Sequence, residues 1–168
     1  MEFQVPFGVR AHKYTEEEIA TTVALMHGEA PLTQSACLHE FEARFRRYAG
    51  VEHAFAVSSA TAALEITAQL CQFEAGDEVI IPAHTYTSSA YPFVKAGAAM
   101  VWADIDPDTR VVTAETIESC ITPRARVIVV PHLYGFGADM VQIMALADEH
   151  EILVVEDAAQ AVGVRIDG

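Results

Sequence analysis

The chain has 168 residues, enough for one ordinary domain and too few for two comfortable ones. Ten basic residues face 24 acidic ones for a net charge of -14, while 52% of residues are hydrophobic and 20% charged. This balance excludes a disordered polyelectrolyte and argues against non-specific binding to nucleic acid or anionic lipid, whose phosphates would be repelled.

Residues 1 to 14 show no clear period and contain Pro6 and Gly8. Thr15 followed by Glu16, Glu17 and Glu18 predicts a capping box, with a helix running to about Met26 and stopped by Gly28. After a loop at Pro31–Gln34, a second helix from about Ser35 carries Leu38, Phe41, Phe45 and Tyr48 on one face and ends at Gly50. Short β-type runs then appear at His53–Val57, Glu78–Ile81, Met100–Ala103, Val127–Pro131 and Ile152–Val155. Helical stretches near Thr61–Gln72, Ser88–Lys95, Ala114–Cys120 and Asp139–His150 separate them. The alternation predicts βαβ units: an α/β fold with a mostly parallel sheet and flanking helices. Residues 1–50 read as an N-terminal segment with helices and 51–168 as the α/β part.

No apolar run is long enough to span a bilayer. The N-terminus lacks a signal-like pattern, and Cys37, Cys71 and Cys120 form no CxxC, so a reduced, cytoplasmic protein is expected. No HExxH or HxxxH is present, and a metal site has little support.

Ligands of open parallel sheets bind beyond the carboxyl ends of the strands. After the first β-type run comes Ser58-Ser59-Ala60-Thr61-Ala62-Ala63-Leu64. Backbone N–H groups at such a helix N-terminus can cradle a phosphate, although plain capping by Ser59 or Thr61 explains the same residues. The loop lacks both GK[ST] and GxGxxG. After the second run, Tyr86 could stack on a flat cofactor or simply cover the sheet end. After the fourth, His132 could be a base or ligand, or a hydrogen-bonded structural histidine. After the fifth, Glu156 and Asp157 end an apolar strand. A carboxylate there needs a cation or several donors, and a pyridinium nitrogen is one such partner; capping of a following helix by Asp157 is the alternative.

Five stretches in register, FEARFRRYAGVEHAFAVSSATAAL, GDEVIIPAHTYTSSA, KAGAAMVWADIDPDT, VVPHLYGFGADM and VVEDAAQAVGVRIDG, resemble the DegT/DnrJ/EryC1/StrS family of sugar aminotransferases, fold-type I pyridoxal-phosphate enzymes. The resemblance runs from about Leu32 to Gly168. It implies an incomplete fold-type I large domain and a pyridoxal 5'-phosphate site. Ala60, Thr61 and Ala62 would hold the phosphate, Tyr86 would stack on the ring, Asp157 would pair with the ring nitrogen, and Gln160 would lie near the phenolic oxygen. Asp104 and Asp106 also match a family pattern but read as loop structure. Ser35 and Ala36 stand where the family often has Gly-Pro.

The implied activity is amino transfer from an amino-acid donor to a keto-sugar or related cyclic ketone, in a homodimeric enzyme. The lysine that forms the Schiff base comes after the counterpart of Gly168 in the family, and only Lys13 and Lys95 occur here, neither at a strand end. No catalytic residue is therefore assigned, and the chain alone is expected to be inactive. The alternative is a catalytically inactive remnant or split-enzyme subunit that binds a sugar nucleotide or a homologous partner chain. The resemblance further implies that the first strand, His53–Val57, lacks its sheet neighbours in this chain and stays detached or pairs abnormally.

Overall fold

The computed structural model describes residues 13–29, 31 and 33–165. They form two compact units, one up to Ala56 and one from Val57 onward.

The first unit holds α1 (Glu16–His27) and α2 (Ala36–Ala49). Thr15 caps α1 as its sequence predicts: its side chain accepts from the Glu18 N–H, and the Glu18 carboxylate accepts from the Thr15 N–H at 2.6 Å. Gly28 ends the helix in extended backbone, whereas Gly50 ends α2 in the left-handed region at φ 69°, where a Cβ would be strained. The expected strand at His53–Val57 does not form. No strand among the described residues offers it a ladder, so its backbone turns elsewhere, and the Ala56 N–H donates to Glu42 Oε1 at 2.9 Å. Of the two outcomes expected for this segment, the structure gives the one without strand pairing.

The second unit is a four-stranded, all-parallel sheet in the order β2-β1-β3-β4. Its strands are β1 (Glu78–Pro82), β2 (Ala99–Ala103), β3 (Ala125–Pro131) and β4 (Leu153–Asp157). The helices are α3 (Ala60–Leu70), α4 (Thr87–Lys95), α5 (Ala114–Glu118) and α6 (Met140–Glu149). The central strands β1 and β3 are largely apolar because both faces are covered. Val79, Ile81, Val127 and Val129 pack with Leu64 and Ala68 of α3 and Phe93 of α4. Ile80, Ile128 and Val130 pack on the other face with Ile117 of α5 and Ile143 of α6. Alternate residues thus serve opposite layers, as the period of a strand requires.

Glu78 is the buried charge of this core at 6% exposure. Thr122 donates to one of its carboxylate oxygens, and the Arg124 guanidinium reaches the other at 2.6 and 2.9 Å. These hydrogen bonds, the Thr122 one foremost, hold its pKa below the usual glutamate value. Asp106 behaves as loop structure, accepting from the N–H groups of Thr109 and Asp108 and from the Thr109 hydroxyl.

The chain leaves β1 through α4 to reach β2 on one side. It leaves β3 through α6 to reach β4 on the other. The two connections diverge between β1 and β3, and that divergence is a topological switch point at the carboxyl edge of the sheet.

Candidate functional site

A recess opens at that switch point, with about 350 Å³ of empty space including its mouth to solvent. Its lining comes from four places: Ala60 at the start of α3, Thr85, Tyr86, Ser88 and Ser89 after β1, Pro131, His132 and Leu133 from the end of β3 onward, and Asp157, Ala159 and Gln160 from the end of β4 onward. Four of the six residues singled out from sequence, Ala60, Tyr86, Asp157 and Gln160, meet there. Thr61 and Ala62 lie in the first turn of α3, behind Ala60.

The α3 terminus shows the capping role that its sequence allows and leaves two further donors open. Ser59 caps it, its hydroxyl accepting from the Ala62 N–H at 3.1 Å, so the Ala62 donor is already engaged. The first-turn N–H groups of Ala60 and Thr61 precede the earliest intrahelical bond, and that leaves them available at the positive end of the helix.

Asp157 ends β4. Its Oδ2 accepts from the Ser89 hydroxyl at 2.7 Å and its Oδ1 from the Ala159 N–H at 3.1 Å. It caps a turn after β4 rather than the helix that its sequence allows as an alternative; the chain makes turns from Ala159 to Gly163. Both donors are neutral, and no cation pairs with Asp157 among the described residues. Tyr86 stands at the mouth, 68% exposed, immediately before α4.

Gln160 is fixed from the opposite side. Its side-chain oxygen accepts from the Tyr134 N–H at 2.9 Å, holding a turn in which Tyr134 adopts φ 56° and Gly135 φ 84°. A bulky residue in the left-handed region costs energy, and the Gln160 contact helps hold it there. With its carbonyl turned to Tyr134, the Gln160 amide keeps both of its N–H donors to offer.

His132 resolves to the structural reading. It is 6% exposed, its Nδ1 accepts from the Ala138 N–H at 3.2 Å, and its Nε2 lies 2.9 Å from Glu156 Oε2. An Nδ1 that accepts puts the neutral ring's proton on Nε2, which donates to Glu156. The histidine so ties the end of β3 to the loop before α6 and to β4. That hydrogen bond holds Glu156 below the usual glutamate pKa, against the opposing effect of partial burial.

Sequence reading missed Ser89. A serine in a helix-opening run of hydroxyls looks like capping, and nothing local in the sequence reveals a contact 68 positions away.

Lys95 sits at the last residue of α4, whose first turn lines the recess, and its Nζ pairs with Glu65 at 3.1 Å. A helix rises about 1.5 Å per residue, which puts the Lys95 backbone roughly two turns from the recess, and its amine is engaged by Glu65.

The chain matches the DegT/DnrJ/EryC1/StrS aminotransferase family over residues 13–168. It is 42% identical over 128 residues to an L-glutamine:2-deoxy-scyllo-inosose aminotransferase of Streptomyces kanamyceticus, covering 76% of this chain and 30% of that protein. Among solved structures it is similar to an aminotransferase from Psychrobacter cryohalolentis, with a TM-score of 0.85, 35% identity and coverage of 94% of this chain and 40% of that one. It is also similar to NtdA from Bacillus subtilis with bound cofactor PMP, with a TM-score of 0.80, 31% identity and coverage of 90% and 35%. The chain therefore spans well under half the length of these relatives.

Proposed function

The chain belongs to the DegT/DnrJ/EryC1/StrS aminotransferase family, and from that premise we propose that it forms the cofactor-binding part of an enzyme using pyridoxal 5'-phosphate. The enzyme moves an amino group from an amino-acid donor to a keto-sugar or related cyclic ketone. One observation carries the reading: a carboxylate, Asp157, held by two neutral donors at the switch-point recess and lacking a cationic partner among the described residues. A protonated pyridine nitrogen would complete its charge balance.

The donor set fits the rest of the cofactor. The N–H groups of Ala60 and Thr61, with the Thr61 hydroxyl, would hold the phosphate at the α3 terminus. Ala62 contributes through the helix terminus, since its own N–H belongs to Ser59. Tyr86, at the mouth of the recess, would cover one face of the ring, and the Gln160 amide would donate to the phenolic oxygen. When bound, the cofactor supplies an electron sink for charge developing on the substrate carbon. The chain's residues bind it, orient it and keep a proton on its ring nitrogen.

The amine that carries the cofactor is neither Lys95, which is directed to Glu65, nor Lys13, which precedes α1. By themselves these residues bind without turning over, and the active species is a homodimer of the full-length protein acting on a small keto substrate. In that protein, Asp157→Asn is expected to lower amino transfer by at least about a hundredfold while the far-UV spectrum stays unchanged. Near-normal turnover by the variant would remove Asp157 from the site. Borohydride reduction in the presence of pyridoxal phosphate should leave Lys13 and Lys95 unlabelled; stoichiometric pyridoxyl-lysine at either position would overturn the lysine assignment.

A further inference from the structure

Ser89 is 1% exposed in the first turn of α4. Hydroxyls inside helices usually donate to a backbone carbonyl one turn back, as Thr67 does to Ala63 at 3.0 Å. Ser89 does not. Its oxygen accepts from the Thr85 hydroxyl at 3.0 Å, and its single hydrogen goes to Asp157 Oδ2 at 2.7 Å. The relay has a direction: Thr85 to Ser89 to Asp157. A hydroxyl that is itself a hydrogen-bond acceptor is the stronger donor for it.

The relay comes from the loop and helix after β1, whereas Asp157 comes from β4, two strands away in the sheet. It fixes the rotation of the carboxylate about its own bond, because Oδ2 is tied to α4 while Oδ1 is tied to the Ala159 N–H. Neutral donors accomplish this without cancelling the charge. An arginine or lysine in the same place would neutralise the group that the ring nitrogen needs.

We infer that Ser89, backed by Thr85, is a positioning residue that orients the Asp157 carboxylate toward a cationic ring nitrogen. The inference rests on the reading of Asp157 given above. The competing role is purely structural, in which Ser89 merely ties α4 to β4.

The test uses the full-length protein with pyridoxamine 5'-phosphate as the probe. Two quantities are read: its dissociation constant, and the pH at which its ¹⁵N-labelled ring nitrogen loses its proton when bound. Ser89→Ala should weaken binding by about tenfold, the usual scale of a hydrogen bond to a charged group. It should also lower the pH of ring deprotonation. Ser89→Thr, which keeps the hydroxyl, should restore both. Thr85→Val, which only removes the rear of the relay, should move both in the same direction by a smaller factor, and serves if Ser89→Ala fails to fold. In an Asp157→Asn background, Ser89→Ala should add nothing further.

A Ser89→Ala protein that melts earlier but binds and titrates like wild type makes the residue a structural tie and overturns the inference. Equal losses in both backgrounds show that Ser89 acts without Asp157 and overturn it as well. If Asp157→Asn itself leaves both readouts unmoved, or the full-length protein does not bind the probe, the reading of Asp157 falls first and this inference falls with it.

Discussion

At the scale of single residues, the recess is built by groups that hold other groups. His132 is the clearest case, since every ring nitrogen it has is spent on a neighbour. His132→Ala leaves the Ala138 N–H unpaired in a buried position and opens a cavity beside it. We expect a loss of about 2–3 kcal/mol in urea denaturation, with no loss of chemistry beyond that of stability, because the wild-type ring has no free nitrogen to act as a base. A loss below about 0.5 kcal/mol would mean that the loop rearranges to satisfy itself. Its partner Glu156 gives a pH signature. The hydrogen bond from His132 lowers the carboxylate's pKa from the usual 4.5, so its contribution to stability is fully present above that value. It is lost as the pH falls through the lower, folded value. The stability of the wild type should therefore fall more steeply below pH 4.5 than that of Glu156→Gln, whose amide cannot titrate. Parallel curves from the two proteins would remove the linkage. Glu78 is lowered in the same direction by Thr122 and Arg124, so the comparison must be between variants and not with a calculated baseline.

At the scale of elements, the sequence and the fold part company where a strand needs a neighbour. The runs at Glu78–Ile81 and Val127–Pro131 read as strands, and they are the buried centre of the sheet. His53–Val57 also reads as a strand and forms none, because β-structure is a pairing property and propensity alone does not make a ladder. Helix starts are legible to within a residue or so where a cap marks them: Thr15, Ser59, Thr113 and Asp139 each accept from the backbone N–H three residues on. Helix ends are less so, as with α5, which stops at Glu118. The site is legible to the extent that it sits at strand ends. Asp157, Tyr86 and Gln160 stand within a few residues of the carboxyl end of an apolar run, where a sequence alone can point to them. Ser89 is defined by a contact between distant elements, which no local pattern encodes. The element reading predicts a pattern of hydrogen exchange. In the isolated chain, amides 79–81 and 127–130 should be the slowest, and amides 53–57 should exchange freely, apart from partial protection at Ala56 from Glu42. Strong protection throughout 53–57 would show a pairing absent from this fold.

At the scale of the whole molecule, two tendencies oppose each other. The sheet presents open edges: among the described residues β4 pairs only with β3 and β2 only with β1. Leu153 on β4 is 58% exposed and Trp102 on β2 is 53% exposed. Neither strand carries the lysine or proline that commonly blunts an edge in its middle. Such edges favour association with a further strand, be it of this protein or another copy. A net charge of -14 works against it, since two like-charged copies repel at close approach. Salt decides the balance, because the screening length falls from about 30 Å at 0.01 M to about 10 Å at 0.1 M and about 3 Å at 1 M. The isolated chain is therefore expected to sediment closest to a monomer at low ionic strength and to associate increasingly as sodium chloride is raised to about 0.5 M, where repulsion is screened and the apolar edge remains. Leu153→Lys should suppress that association at every salt concentration while changing thermal stability little, since the side chain it replaces is already exposed. Sedimentation velocity over a concentration series distinguishes the outcomes. Association that weakens with salt would make it electrostatic, and association untouched by Leu153→Lys would move it away from the β4 edge.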